Sequence, residues 1–306
     1  MTKIYIDGSA GTTGLKIRER LEKRADIELL SLPDEQRKDP DAKREIFNRA
    51  DLVFLCLPDD AARESVKLVE NDHTVIIDTS TAHRTSPSFV YGMPELRGQR
   101  EKIKNAKRIA NPGCHASGFI ALTEPLVTLG LLKDTARLSC FSLTGYSGGG
   151  KKMIAQYEES GRDRLFDAPR MYALSQSHKH LPEMKLYAHL KTDPVFCPVV
   201  CDFYSGMQVT VPVFREDLTG TLQDIREAYQ SYYQSGVIRF SDANEEGFLS
   251  SLSFEGRDDM TVSAFGNDER ITLVCRFDNL GKGASGAAIQ NMNIVLGCKE
   301  TEGLNV

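Results

Sequence analysis

The N-terminal segment follows the order strand, glycine-rich turn, helix, and no other feature of the chain constrains its fold as strongly. An apolar run at 4–6 leads into the turn, and a helix-like run at 15–24 leaves it. Glycines in such a turn let the pyrophosphate of a dinucleotide approach the N-terminus of the helix. The segment therefore predicts a dinucleotide site, whose candidate residues are Gly8, Ser9, Gly11, Thr12, Thr13 and Gly14.

The next part of the chain repeats this alternation of strand and helix. Strand-like runs at 27–32, 52–58 and 74–78 are separated by helix-like runs at 41–49 and 61–70. The run at 52–58 is continuously apolar, as in a strand buried on both faces of a parallel sheet. The N-terminal part therefore predicts a Rossmann-type α/β domain.

The end of the second predicted strand bears on the choice of nicotinamide cofactor. An acidic residue at this position would bind the ribose 2′-hydroxyl of NAD, whereas a nearby basic residue suits the 2′-phosphate of NADP. Ser31 stands where the acid would be expected, and Arg37 and Lys38 follow a few residues later. We therefore predict NADP, with Ser31 and Arg37 among its contacts.

The segment Asn111-Pro112-Gly113-Cys114 places a cysteine in a tight turn. A strand-like run at 107–110 precedes it, and a helix-like run at 116–132 follows it. Backbone N–H groups and the helix dipole at such a position favour an anion, so we expect the Cys114 thiol to ionise readily. A thiolate in such a turn can act as a nucleophile. The alternative interpretation is a buried, inert structural cysteine.

Polar side chains near two predicted strand ends are candidate substrate ligands. Ser80, Thr81 and Arg84 follow the strand at 74–78, and strand ends in such sheets face the ligand crevice. A guanidinium binds phosphate through two donors, so Arg84 with the two hydroxyls is a candidate phosphate site. A capped turn with a solvated arginine is the alternative. Asn111 and Ser117 are candidates for steering the substrate.

Two of the six histidines stand together in Ser177-His178-Lys179-His180-Leu181-Pro182-Glu183. Pro182 indicates that a helix begins here, with His178 and His180 beside its first turn. A histidine at a helix N-terminus suits proton transfer near neutral pH. We expect His178, oriented by Glu183, to be the acid/base, with His180 as its nearest rival; surface histidines are the alternative interpretation. The pattern lacks a third metal ligand, as does the pair Cys197 and Cys201, so no metal site is predicted.

The second half of the chain changes to an α+β pattern. Strand-like runs at 138–146, 195–213, 261–265 and 271–277 and a helix at 222–233 predict a domain with an antiparallel sheet. An exposed face of such a sheet could support dimerisation. The predicted division is a dinucleotide-binding domain at 1–114 and 282–306, and a catalytic and oligomerisation domain at 115–281.

Composition excludes several classes of protein. The chain has 38 basic and 43 acidic residues and a net charge of −5, without a basic block, so we expect no nucleic-acid or membrane-surface partner. No apolar run has the length that spans a bilayer. The seven cysteines are scattered and odd in number, and a strand begins at the N-terminus. These features predict a cytoplasmic protein with reduced thiols and no signal peptide.

Five segments together resemble the shorter form of the N-acetyl-gamma-glutamyl-phosphate reductases of arginine biosynthesis, in the semialdehyde dehydrogenase superfamily. They are 8–14, 80–84, 111–114, 178–183 and 282–288, and the resemblance extends over essentially the whole chain. The pairing of Asn-Pro-Gly-Cys with His-x-His-x-Pro-Glu is the specific part. The resemblance implies a two-domain subunit, a homo-oligomer (a homodimer or homotetramer) and NADP-linked reduction of an acyl phosphate to an aldehyde.

The resemblance also implies a thioester on Cys114 as the reaction intermediate. Other acyl-phosphate reductases share this chemistry, so an aspartate-semialdehyde dehydrogenase and an N-acetyl-aminoadipyl-phosphate reductase remain alternatives. The latter differs in substrate by one methylene, which sequence discriminates weakly. A non-catalytic NADP-sensing module is an alternative of another class, and the combination of Cys114 with the histidine segment speaks against it.

Overall fold

Apolar strands alternating with amphipathic helices build the first unit of the chain, Met1–Pro112 with Ala284–Leu304. A second unit comprises Gly113–Gly283 with Asn305–Val306. The computed structural model describes residues 1–234 and 236–306. The chain passes between the units at 112/113, 283/284 and 304/305, whereas the sequence-based borders were 114/115 and 281/282. Cys114 therefore lies in the second unit, together with the helix that it begins.

The strands and helices are numbered here in chain order. The strands are β1 (Thr2–Asp7), β2 (Ile27–Leu30), β3 (Leu52–Leu55), β4 (Val75–Asp78), β5 (Val90–Tyr91), β6 (Arg108–Ala110), β7 (Ser139–Gly145), β8 (Arg170–Met171), β9 (Val195–Cys201), β10 (Met207–Phe214), β11 (Ile238–Phe240), β12 (Met260–Asn267) and β13 (Arg270–Phe277). The helices are α1 (Thr12–Leu21), α2 (Pro40–Arg49), α3 (Asp59–Val66), α4 (Gln99–Lys104), α5 (Cys114–Thr128), α6 (Gly150–Glu158), α7 (Leu181–Tyr187), α8 (Leu222–Tyr232) and α9 (Gly286–Leu296).

The first unit has a parallel sheet in the order β2-β1-β3-β4-β6-β5, taken over the described residues. The chain moves outward from β1 to β2 and then returns to place β3 on the other side of β1. Such a reversal opens a crevice at the carboxyl ends of the two central strands, where dinucleotides bind in sheets of this kind. The predicted Rossmann-type arrangement is confirmed.

Apolar side chains cover both faces of this sheet. On one face, Ile17 of α1 and Met292 of α9 join the core with Ile4 and Phe54. On the other, Phe47 of α2 packs with the second set of strand residues, the set that alternation directs to that side. Helices on both faces explain why these strands are apolar throughout.

The second unit contains a mixed sheet in the order β11-β12-β13-β10-β7-β9-β8, again for the described residues. Most neighbouring pairs are antiparallel, as predicted, but β7 pairs with β9 and β11 with β12 in parallel. The chain leaves β7 through α6 and α7 before it returns as β9, and a crossover of that length allows parallel pairing. Sequence alternation alone does not distinguish the two directions.

Helices α5 and α8 cover one face of this sheet. The other face presents alternate residues of β7, β9 and β10, including the exposed Phe141, Val195 and Phe214. Three short strands, β5, β8 and β11, are absent from the sequence prediction, because two- and three-residue strands carry no periodicity. None of the helices in the described residues has the length and apolar character needed to cross a membrane.

Candidate active site

Cys114 is the first residue of α5, and Gly113 is its N-cap with extended backbone angles. Strand β6 leads into the turn, so the predicted order of strand, turn and helix is confirmed. The Cys114 side chain is half-buried. The first N–H groups of a helix have no partner within it, so this end of α5 offers donors and a positive dipole end to an anion.

Glu183 reaches the same turn from α7 in the second unit. Its carboxylate is almost fully buried and accepts a hydrogen bond from the Gly113 N–H at 3.1 Å. The other carboxylate oxygen lies 4.0 Å from Nε2 of His180. The sequence paired Glu183 with His178, whereas this contact joins it to His180. This contact is the observation on which we base the proposal that His180 is the acid/base, and the choice between the two histidines stays a prediction.

His178 lies directly against His180. The two rings are perpendicular with centroids 4.7 Å apart, and Nδ1 of His178 accepts the His180 backbone N–H at 3.2 Å. A neutral ring that accepts at Nδ1 carries its proton on Nε2. His178 is thereby oriented as a hydrogen-bond donor, whereas removing a proton from the thiol would need a free ring nitrogen.

His115 belongs to the same cluster, although the sequence pattern did not indicate it. Its Nδ1 lies 2.7 Å from the Ser142 hydroxyl and its Nε2 lies 2.8 Å from the Tyr172 hydroxyl. Its ring centroid is 5.9 Å from that of His178 and 5.5 Å from that of His180. Burial, and then the charge of His178, lowers the pKa of His115 to about 3, so the ring is neutral near pH 7. The sequence feature that could have indicated His115 is its position directly after Cys114.

Gly283 lies against the Cys114 side chain from the C-terminal end of the second unit. A Cβ at this position would be 3.0 Å from Cβ of Cys114 and 3.1 Å from the Asp278 carbonyl oxygen. This contact is tighter than nine in ten real Cβ contacts, so a larger residue would require the cysteine to move by a few tenths of an ångström. Lys282 beside it is 2% exposed. The sequence linked this segment to the family resemblance without assigning it a role in the site.

Arg84 lies in the first unit, where it stabilises the loop that ends at Pro112. The guanidinium is buried and donates to the carbonyl oxygens of Asn111 at 2.9 Å and Thr79 at 3.2 Å. These bonds indicate that Arg84 holds the backbone of the loop. They speak against the predicted role of Arg84 as a phosphate contact. The hydroxyl of Ser80 donates to Asp78, and that of Thr81 donates to Asp59. The Ser80 bond is local to its own segment, whereas the Thr81 bond joins that segment to the first residue of α3.

Asn111 and Ser117, the two other predicted substrate residues, are also buried and hydrogen-bonded within their own units. The Asn111 side chain donates to the Ala284 carbonyl oxygen at 3.0 Å and accepts from Asn291 at 3.3 Å. The Ser117 hydroxyl donates to the Gly113 carbonyl oxygen at 3.0 Å. The Asn111 contacts fix the end of β6 within the first unit, and the Ser117 contact fixes the first turn of α5. A substrate contact by either residue stays a prediction.

The glycine-rich turn of the first unit has the close approach that its sequence predicted. Gly8 has φ of +85°, and a Cβ there would lie 2.3 Å from the Cys56 carbonyl oxygen. Gly11 is the N-cap of α1, and its N–H donates to the Gly8 carbonyl oxygen at 3.0 Å. The Thr12 hydroxyl oxygen is buried with no hydrogen-bond partner among the described residues. A phosphate oxygen at this helix N-terminus would supply that partner.

A cavity of about 540 Å³ in the first unit is lined by four of the predicted cofactor residues, whereas Gly11, Thr12, Thr13 and Gly14 are not among its lining residues. Its lining includes Gly8 and Ser9 from the turn, and Ser31 and Arg37 from the segment after β2. Lys38 and Lys43 also line it; the Lys43 ammonium bonds the buried Asp7 carboxylate at 2.8 Å. Glycines, hydroxyls and cations thus surround one cavity, a combination that fits the phosphates of NADP.

Both units match known families. Residues 3–106 match the family described as semialdehyde dehydrogenase, NAD binding domain, and residues 114–279 match semialdehyde dehydrogenase, dimerisation domain. N-acetyl-gamma-glutamyl-phosphate reductase 2 of Nostoc sp. is 44% identical, with 99% of each chain covered. N-acetyl-gamma-glutamyl-phosphate reductase of Chelativorans sp. is 46% identical, with 96% of this chain and 98% of the relative covered.

Solved structures share the fold at much lower identity. Aspartate semialdehyde dehydrogenase II from Vibrio cholerae, complexed with ASA, has a TM-score of 0.73 at 15% identity, covering 97% of this chain and 98% of that one. The Candida albicans aspartate semialdehyde dehydrogenase with NADP has a TM-score of 0.70 at 15% identity, covering 96% of this chain and 99% of that one. These similarities establish the fold alone.

Proposed function

Because the chain belongs to the N-acetyl-gamma-glutamyl-phosphate reductases of the semialdehyde dehydrogenase family, we propose that it performs their reaction through Cys114. The reaction is reduction of N-acetyl-glutamyl 5-phosphate by NADPH to N-acetylglutamate 5-semialdehyde and phosphate, in arginine biosynthesis. The observation that carries the proposal is the position of Cys114 at the N-terminus of α5, beside the Glu183 carboxylate and the histidine cluster.

The reaction begins with addition of the Cys114 sulfur to the acyl-phosphate carbonyl. The sulfur–carbon bond forms, the bond from carbon to the phosphate oxygen breaks, and phosphate leaves with the bonding electron pair. A thioester accepts hydride at its carbonyl carbon, and NADPH supplies that hydride when bound. Collapse of the resulting thiohemiacetal breaks the carbon–sulfur bond, releases the aldehyde and restores the thiolate.

His180 and Glu183 control the proton in this scheme. The carboxylate beside Nε2 stabilises a protonated His180, which in turn stabilises the Cys114 thiolate. The same imidazolium can return its proton when the product forms. His178 donates a hydrogen bond from Nε2 to an oxygen of the substrate in this scheme, because its Nδ1 accepts a backbone N–H.

The first unit would hold the cofactor through its turn and its cations. The N–H groups at Gly8–Gly14 and the hydroxyls of Thr12 and Thr13 suit the pyrophosphate at the start of α1. Ser31 and Arg37 line the same cavity and suit the ribose 2′-phosphate. Arg84 acts in this proposal by holding the Asn111 backbone before Cys114, and Ser80 and Thr81 fix the segment after β4 that carries Arg84.

We propose that the protein assembles through the exposed face of the second sheet. The matched family is named for dimerisation, and Phe141, Val195 and Phe214 are 47%, 56% and 58% exposed on that face. Burial of these side chains against a second copy would stabilise a homodimer, or a homotetramer built from two dimers. The seven cysteines are all free thiols, which suits the cytoplasm as the site of the reaction.

One assay tests the proposed function against its alternatives. Phosphate-dependent reduction of NADP is followed with N-acetylglutamate semialdehyde, aspartate semialdehyde and N-acetyl-aminoadipate semialdehyde in parallel. We expect the first to give much the highest kcat/KM. Preference for another aldehyde would reassign the substrate, and reduction with none of the three would favour a non-catalytic NADP-binding protein.

A further inference from the structure

Three hydrogen-bonded side chains connect the interior of the second unit to the surroundings of Cys114. Ser142 lies in β7 and is fully buried. Its hydroxyl contacts Nδ1 of His115, the second residue of α5, at 2.7 Å. Nε2 of the same ring contacts the hydroxyl of Tyr172, just after β8, at 2.8 Å. The proposed reaction scheme assigns no role to this chain of contacts.

The burial of Ser142 determines the direction of the chain. Among the described residues, His115 is the one hydrogen-bond partner of the Ser142 hydroxyl. A buried donor left without an acceptor costs about 1–3 kcal/mol, so Ser142 donates its proton to Nδ1. The neutral His115 ring then carries its own proton on Nε2 and donates it to the Tyr172 oxygen. The Tyr172 O–H is consequently available to another acceptor.

The surroundings of Tyr172 indicate where that acceptor lies. Burial, and then the negative charge of Cys114, raises the pKa of the Tyr172 phenol, so the hydroxyl keeps its proton. That hydroxyl lies 2.8 Å from the ring of His115, the residue that directly follows Cys114 in the first turn of α5. The Tyr172 backbone N–H donates to the Pro198 carbonyl oxygen at 3.0 Å. The Gln176 side chain bonds both the N–H and the carbonyl oxygen of Phe196, at 2.8 and 2.7 Å. The segment is therefore fixed on β9.

We propose that the Tyr172 hydroxyl donates a hydrogen bond to the oxygen of the acyl group bound to Cys114, and that Ser142 and His115 are positioning residues that direct this donor. The inference rests on the proposed function. The acyl oxygen gains negative charge when the sulfur adds and again when hydride is accepted. A fixed neutral donor stabilises that charge without prior reorganisation.

The first test removes the hydroxyl alone. Tyr172→Phe should lower kcat by a factor on the order of 10², the cost of removing one donor to an oxyanion, with the KM for NADP unchanged. Tyr232→Phe is the matched control, since it removes a phenol hydroxyl bonded to Glu124 on the helical side of the same unit. Absence of turnover in the unmodified protein would refute the proposed function. A Tyr172→Phe variant with unchanged kcat, in an active protein, would refute this inference only.

The second test separates positioning from general stability. Ser142→Ala frees His115 to adopt its other tautomer, which accepts the Tyr172 proton, so kcat should fall. If Ser142 acts through Tyr172, adding Ser142→Ala to the Tyr172→Phe variant should cause no further loss of kcat. The proposal would be contradicted if the fold-loss of kcat in the double variant equalled the product of the fold-losses in the two single variants.

Variants of His115 keep the proposal testable if Tyr172→Phe does not fold. His115→Gln retains an amide N–H near the position of Nε2, whereas His115→Leu retains no donor. We expect His115→Gln to keep the larger part of kcat and His115→Leu to lose it. Equal kcat values in the two variants would overturn the assigned direction of the chain.

Discussion

At the scale of single residues, the site depends on which histidine each acidic or hydroxyl group contacts. Glu183 connects His180 to the Gly113 N–H, and Ser142 connects to His115. Local sequence showed that a histidine pair stands beside a helix start, but not which ring the carboxylate reaches. His115 was missed because its partners lie 27 and 57 residues away along the chain.

The contact between Glu183 and His180 predicts an order of effects on the pH–rate profile. His180→Asn should lower kcat/KM more, and flatten its pH dependence more, than His178→Asn, because in the proposed scheme His180 exchanges the proton with Cys114. Glu183→Gln should resemble His180→Asn. The measurement is kcat/KM for N-acetylglutamate semialdehyde across pH 5–9. A larger effect of His178→Asn would return the acid/base role to His178.

The buried His115 predicts an acid-dependent loss of stability. Its pKa in the folded protein is about 3, below the ordinary value of 6.5, so only the unfolded chain binds the proton between these values. The stabilising contribution is complete above pH 6.5 and declines as the pH falls, by about 1.4 kcal/mol per unit. Urea unfolding of the protein and of the His115→Gln variant measures this contribution to the free energy of unfolding. Between pH 6.5 and 5 the protein should lose about 2 kcal/mol more than the variant; parallel losses would contradict a neutral His115.

At the scale of elements, the proposal depends on two helix N-termini, one in each unit: α1 after the glycine-rich turn is the proposed cofactor site, and α5 carries Cys114. Both were predictable, because strand, turn and helix follow one another locally in the sequence. The direction of pairing between β7 and β9 was not, because it depends on the path through α6 and α7. Lys43 at the cofactor cavity was also missed, since its bond to Asp7 joins α2 to β1.

The turn before α1 predicts a sharp difference between two glycine substitutions. Gly8→Ala would place a Cβ 2.3 Å from the Cys56 carbonyl oxygen, so the turn must move and NADPH binding should fall at least about tenfold. Gly98→Ala is the matched control, since it also has positive φ but nothing within 4 Å. It should cost only about 1 kcal/mol of stability from backbone strain. Fluorescence titration with NADPH compares them; equal affinities would contradict the assigned turn.

At the scale of the whole molecule, the family matches assign both parts of the chain, and the apolar sheet face is the surface that we propose for assembly. The sequence predicted an exposed face of this kind from alternation in β10. It did not identify Phe141 and Val195 as neighbours on that face, because their strands lie far apart in the chain.

Assembly through this face predicts a selective effect of charge. Phe141→Glu should weaken self-association at least about tenfold, because a carboxylate would be buried at the contact. Phe248→Glu is the control, since Phe248 is 76% exposed and lies in the loop between β11 and β12. Sedimentation velocity over a concentration series measures both variants. Unchanged association of Phe141→Glu would exclude this face.

The central claim is that Cys114 carries the acyl group as a thioester. The most direct measurement mixes the protein with N-acetylglutamate semialdehyde and NADP in the absence of phosphate, and then determines the mass of the intact chain and of its peptides. We predict one equivalent of NADPH per site, with the N-acetylglutamyl mass on the peptide that contains Cys114 and no such adduct in Cys114→Ser. An adduct on another residue, or normal turnover by Cys114→Ser, would contradict the account.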